Sequence, residues 1–167
     1  KINKNTIKTM ISIGVAGLPW ISMWKIYLAL PQGRMLFYIV TIIVLADTGA
    51  YFSGRFFGKN KLAPNWSPKK TWEGVWGGAF CAAIGGTCYF YWFCPKVISI
   101  FSLVLLSTLL SFLSVFGDLV ESGWKRVCGV KDSGVILPGH GGILDRVDGF
   151  LLVAPVFHVL LITMGLD

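Results

Sequence analysis

Five apolar blocks, each about twenty residues long, limit what this chain can become. They lie at roughly 7–24, 35–54, 74–94, 97–117 and 147–166. Each matches the ~20 residues that an α-helix needs to cross ~30 Å of hydrocarbon. The apolar residues run continuously rather than alternating. An unclosed sheet leaves backbone groups unsatisfied in lipid, so the blocks are expected to be helices. VISIFSLVLLSTLLSFLSVFG, 97–117, is the cleanest block, whereas Pro19 interrupts the first and Lys25 marks its end. Charged residues make up only 14% of the chain and hydrophobic ones 54%. A soluble domain carries about 25% charged residues. Gly74, Gly77, Gly78, Gly85 and Gly86 in the third block suit close approach of one helix to another. The expected fold class is all-α. It is a polytopic integral membrane protein of about five transmembrane helices, with two cytoplasmic loops forming the site.

Charge orients these helices. With the first terminus inside, the inner segments are 1–6, 55–73 and 118–146, with Lys8 at the margin. They hold Lys1, Lys4, Lys8, Arg55, Lys59, Lys61, Lys69, Lys70, Lys125, Arg126, Lys131 and Arg146. The outer side holds Lys25, Arg34 and Lys96. Twelve against three satisfies the positive-inside rule and puts both long polar loops in the cytoplasm. The net charge of +7 is then mostly membrane topology. Nucleic acid is not an expected partner, although two basic loops on one side can meet a polyanion. Lys1, Lys4 and Lys8 ahead of an apolar stretch also fit a signal peptide, a reading that the later blocks outweigh. Cys81, Cys88, Cys94 and Cys128 show no CxxC spacing, which excludes a zinc ribbon or a thioredoxin-like pair. They read as packing residues. His158 reads as a packed histidine within the last block.

The polar residues are concentrated near the ends of two blocks. If the fourth helix continues into FGDLVESGWKRVCGVKD, 116–132, then Asp118, Ser122 and Lys125 share one face, with Glu121 at its edge. Asp145 and Asp148 share a face at the start of the last block. Carboxylates at a membrane boundary are costly unless they are paired or metal-bound. Hard oxygen donors without a cysteine favour Mg²⁺ over zinc. The plain alternative is a set of ion pairs with Lys125, Arg126 and Arg146.

PGHGG, 138–142, leads directly into the carboxylate pair and offers bare backbone N–H groups to an anion. Beside His140 and Arg146 it reads as a phosphate-and-metal site. In NWSPKKTWEGVWGG, 65–78, Ser67 or Thr71 can cap a helix, and Ser67-Pro68 reads as a helix start. Lys69 and Lys70 are point charges suited to phosphates. Asp47, inside the second block, is a functional candidate by default. Pairing with Arg55 or Lys59, or a hydrogen bond to Tyr51, is the alternative.

The order Ser122, Lys125-Arg126, Lys131-Asp132, Gly134, Leu137-Pro138, His140-Gly141-Gly142-Ile143, Asp145-Arg146 and Asp148 resembles the signature of the phosphatidate cytidylyltransferases, or CDP-diacylglycerol synthases. DTGAYFSGRFFGKNKLAP, 47–64, and SPKKTWEG, 67–74, resemble other characteristic stretches of its bacterial members. The likeness covers about residues 40–160, with its signature region at 118–148. Gly123-Trp124 departs from it, since aliphatic residues are common there. The resemblance also implies further membrane helices before this region. Residues 1–167 are therefore expected to be a single membrane domain, the C-terminal part of a longer chain that begins before Lys1.

That likeness implies a reaction: CTP and phosphatidate give CDP-diacylglycerol and pyrophosphate, in phospholipid biosynthesis at the bacterial inner membrane. Asp118, Asp145 and Asp148 are then expected to bind Mg²⁺, with a second cation bridging the phosphates as an option. Lys125, Arg126, Lys131 and Arg146 would neutralise phosphate. Lys69, Lys70, Ser67 and Thr71 would hold the triphosphate or the lipid phosphate. Asp47, Asp132, Gly141 and Gly142 complete the expected binding set, and His140 is a hydrogen-bond donor or proton acceptor. The lipid bilayer is an expected partner, and a homodimer is compatible with the sequence. Two rivals are a CTP-dependent polyprenol kinase and a non-enzymatic membrane transporter.

Overall fold

The computed structural model describes residues 4–29, 33–94, 98–127, 129 and 147–164, with side chains from residue 17 onward. Five helices are present among them: α1 Lys4–Ala29, α2 Arg34–Phe57, α3 Trp72–Phe93, α4 Ile100–Val127 and α5 Phe150–Thr163. Each apolar block forms a helix, as continuous rather than alternating hydrophobicity requires.

The boundaries differ from expectation in three places. α1 continues through Pro19 and Lys25 to Ala29, because a proline inside a helix removes one hydrogen bond without ending a long apolar run. α4 does continue into the polar segment, reaching Val127 over 28 residues, or about 42 Å at 1.5 Å per residue. α5 covers only 14 residues, short of the ~20 that a span needs. α2 and α4 are long and apolar enough to cross a membrane, and less than half of either apolar window is buried inside the molecule. The outward surface is aromatic and aliphatic, with Tyr91, Trp92, Phe101 and Phe80 all largely exposed.

The core sits around α2. Its Tyr38, Ile39, Ile42, Ile43 and Ala46 meet Leu103, Leu106 and Leu110 of α4 and Val153, Ala154, Phe157 and Leu161 of α5. Ile26 of α1 joins this cluster. The Tyr38 hydroxyl shares a 2.9 Å hydrogen bond with Ser107 Oγ, which satisfies two fully buried polar groups between α2 and α4.

α2 and α3 pack most intimately, and the glycines are the reason. A Cβ added at Gly78 would lie 2.5 Å from the Ala46 carbonyl oxygen. One at Gly74 would lie 2.8 Å from that of Ala50, and one at Gly49 would lie 2.9 Å from that of Gly77. Backbone therefore meets backbone along this seam, where dispersion and Cα–H···O contacts act at short range. The expected role of the third block's glycines is met on these contacts.

Between α2 and α3 the chain forms an antiparallel hairpin of β1 Lys61–Ala63 and β2 Ser67–Thr71. Ser67-Pro68, expected as a helix start, instead opens β2, with Ser67 opposite Ala63. Proline is tolerated there because the two-stranded ribbon consists only of edges. The helix starts one strand later, where the Thr71 hydroxyl accepts from the Gly74 amide at 3.2 Å. Cys94 is buried, Cys81 packs beside Gly49, and Cys88 is exposed. Cys128 lies outside the described residues.

Candidate active site

A two-stranded hairpin is marginal by itself, so its position needs anchors. Three are visible. Glu73, in the first turn of α3, accepts from the Asn60 amide at 3.1 Å and from Asn60 Nδ2 at 2.8 Å. The Trp66 ring rests on Gly123 of α4, where an added Cβ would come within 3.2 Å of the indole. The Gly123-Trp124 departure thus has a steric cause: this surface of α4 must be bare to receive Trp66. Third, Lys70 Nζ of β2 lies 2.5 Å from Asp118 Oδ2 of α4.

Glu73 also yields a pH expectation. Its own amide, with those of Asn60 and Lys59 and the Asn60 side chain, holds its carboxyl below the usual value against a smaller desolvation. A depressed acid stabilises the fold above its ordinary pKa, and that contribution disappears as pH falls through the depressed value. Glu73→Gln should therefore unfold at a lower temperature than wild type near neutrality. The gap should begin to narrow as pH falls through the ordinary glutamate value of about 4.3 and close only below the depressed one. Melting curves across that range check it, and a constant gap would assign the effect to packing.

Asp118, Glu121 and Asp148 come together at this end of the molecule, with one carboxylate oxygen from each within 4.8 Å of the others. Asp118 Oδ1 accepts from Ser122 Oγ at 3.2 Å, as an i, i+4 pair should. Asp148 stands in the turn ahead of α5 and accepts the Gly149 amide at 2.7 Å. Burial raises its carboxyl above the usual range, and neighbouring Asp118 adds to the rise. The Gly149 amide and Lys70 act in the opposite direction. The donor set consists only of carboxylate oxygens, the kind a hard divalent cation takes.

Glu121 is the residue that sequence reasoning misplaced. It is 4% exposed, and Lys125 Nζ stands 3.4 Å from its Oε1. Lys125 therefore serves Glu121, one turn back, while the partner of Asp118 comes from β2. The available signal was the i, i+3 spacing of Asp118 and Glu121, which also puts two side chains on one helix face.

Beside the carboxylates lies a cleft of about 320 Å³, within the size range of small-molecule sites. Asp47, Tyr51 and Arg55 of α2, Lys69 and Lys70 of β2, and Thr71 and Gly74 at the start of α3 line it. Arg55 Nη1 donates to the Tyr51 hydroxyl at 2.8 Å. Among the described residues Asp47 forms no ion pair with Arg55 or Lys59. Its charged neighbours are Lys70, Asp148 and Asp118. The N-terminal end of α3 adds the positive end of a helix dipole to this wall.

Expected site residues Asp47, Lys69, Lys70, Thr71, Asp118 and Asp148 are thus neighbours. Ser67 lies further along the hairpin, outside the cleft lining. Arg126 is exposed in the last turn of α4. Lys131, Asp132, His140, Gly141, Gly142, Asp145 and Arg146 lie outside the described residues.

Apolar helices wide open to their surroundings, with a carboxylate cluster and a lysine-walled cleft at one end, define a helical protein of membrane type. The chain belongs to the cytidylyltransferase family, whose profile matches residues 2–164. It is 50% identical over 129 residues to a phosphatidate cytidylyltransferase of Staphylococcus haemolyticus, covering 77% of this chain and 49% of that protein. The Staphylococcus aureus phosphatidate cytidylyltransferase is 50% identical over 127 residues, 76% of this chain and 48% of the relative. That of Staphylococcus epidermidis is 49% identical over 129 residues, 77% and 49% of the two chains. The chain spans about half the length of the curated relatives it matches.

Proposed function

We propose that this chain carries the catalytic part of a phosphatidate cytidylyltransferase, in the bacterial inner membrane with its site facing the cytoplasm. One observation carries the reading: a carboxylate cluster and a lysine-walled cleft share Lys70, which pairs with Asp118 and lines the cleft. The substrates are CTP and phosphatidate. An oxygen of the lipid phosphate attacks the α-phosphorus of CTP, the bond to the β-phosphate oxygen breaks, and pyrophosphate leaves with that electron pair. No protein nucleophile is required, so the work is positioning and charge neutralisation.

Asp118, Glu121 and Asp148 hold a divalent cation, Mg²⁺ by their hard oxygens, with Asp145 a further ligand in this reading. When bound, the cation neutralises phosphate oxygens and aligns them for in-line displacement. Lys69, Lys70 and the start of α3 hold a phosphate in the cleft, and Asp47, a charged neighbour of Lys70, orients that lysine. Lys125 pairs with Glu121 from one turn further along α4. Arg126, Lys131 and Arg146 screen the departing pyrophosphate, while Asp132, His140, Gly141 and Gly142 contribute from the sequence between α4 and α5. Ser67 supports the hairpin rather than the substrate.

The test is the fate of the label. With the full-length protein and phosphatidate, phosphorus from α-labelled CTP should enter chloroform-soluble lipid, with an equal amount of pyrophosphate released. Transfer of γ-label with CDP release would make the protein a lipid kinase instead.

A further inference from the structure

Lys70 faces two ways. Its ammonium lies 2.5 Å from Asp118 Oδ2, and its side chain also lines the cleft with Lys69, Arg55 and Thr71. Among the described residues its other polar contact is a 3.5 Å approach to the Val115 carbonyl, at the limit of a hydrogen bond. Ser122 holds Asp118 Oδ1, so the lysine occupies the oxygen that no other described side chain engages. Lys70 and Asp118 are 24% and 31% exposed, shielded enough to interact strongly and open enough to separate. The backbone of Lys70 is fixed in β2 beside the Thr71 cap, so only its side chain needs to turn.

We infer that Lys70 is an exchangeable counter-ion: its ammonium and a divalent cation compete for Asp118, and the displaced lysine turns to an anionic phosphate in the cleft. The inference rests on the proposed reading of the carboxylate cluster as a cation site. A cation shared by Asp118, Glu121 and Asp148 would repel an ammonium on Asp118 at so short a distance. The cleft gives that ammonium a second place, in a lining that also holds Lys69 and Asp47. Cation binding therefore raises the affinity for phosphate by releasing a positive charge toward it. By reciprocity, a bound phosphate raises the affinity for the cation. A fixed structural bridge between β2 and α4 would show neither effect.

The test uses Mn²⁺ as the probe and the full-length protein in detergent. Spin-resonance titration of free Mn²⁺ should show binding to wild type and its loss in Asp118→Asn. Lys70→Gln, which removes the competitor, should bind Mn²⁺ about tenfold more tightly, within the ordinary range of coupling between sites. A second readout needs no variant. A brief pulse of an amine-acylating reagent, read by mass spectrometry, should label Lys70 several-fold faster once Mn²⁺ is added. Lys69 should not change, and pyrophosphate added with Mn²⁺ should protect Lys70 again. Equal or weaker Mn²⁺ binding by Lys70→Gln overturns the inference. So does unchanged Lys70 labelling while Mn²⁺ binds, which leaves the cation site standing. Equal Mn²⁺ binding by wild type and Asp118→Asn removes the cation site itself, and the exchange falls with it.

Discussion

Asp118→Asn should reduce turnover by about 10²–10³-fold, the loss seen when one group that stabilises transition-state charge is deleted. Asparagine keeps the shape and the Ser122 hydrogen bond while removing the charge that faces Lys70 and the other two carboxylates. Glu121→Gln should fall nearly as far. The sequence put Glu121 at the edge of a helix face, where a smaller loss is expected. Its burial beside Asp118 and Asp148 removes that distinction. Both variants are assayed with α-labelled CTP and phosphatidate at saturating Mg²⁺, with matched amounts of inserted protein. Activity near wild type in both would make the cluster an ion-pair network with Lys70 and Lys125, and the cation would have to bind elsewhere.

Gly78→Val should destabilise the protein by about 3 kcal/mol, the upper end for overpacking a close contact. The atom it would strike is the Ala46 carbonyl oxygen, part of a helix backbone that cannot swing aside as a side chain can. Relief requires α2 and α3 to part. Asp47 and Arg55 on α2 would then move away from Lys69 and Lys70, which enter α3 through the hairpin. Activity should fall together with stability. Gly17→Ala is the matched control, because nothing lies within 4 Å of an added Cβ there. Removing a helix glycine gains about 0.5–1 kcal/mol where no clash opposes it. Thermal unfolding in one detergent compares the three proteins. A Gly78→Val protein as stable as wild type would mean that the two helices are not in backbone contact.

The helices were legible because a continuous apolar run of about twenty residues has few alternatives. The i, i+4 pair of Asp118 and Ser122 was legible for the same local reason, as was the Thr71 cap. The hairpin was not. Ser67-Pro68 and the lysines after it carry no alternation, and proline before a good cap imitates a helix start. Partnerships across the chain were hidden more deeply. Lys70 and Asp118 are 48 residues apart, and periodicity reports only neighbours within a turn or two. Lys125 does share the helix face of Asp118, but its ion pair to Glu121 could not be told from that face alone. Gly123 read as a departure from a family pattern, and it took the Trp66 ring to give it a purpose.

The length of α4 makes the thickness of the surrounding lipid a variable of the chemistry. Asp118 is eighteen residues beyond Ile100, so it stands about 27 Å along a rigid axis from the start of the helix. In the membrane placement proposed above, that distance nearly equals a hydrocarbon layer of about 30 Å. A thicker bilayer draws the carboxylates toward the acyl chains, where their charge is costly and where an incoming water-soluble nucleotide cannot follow. A thinner one lifts them clear of the headgroup that must be reached. Acyl-chain length of the host lipids thus sets the depth of the reaction plane without touching any residue, and tilting of α4 is the mechanical response that restores it.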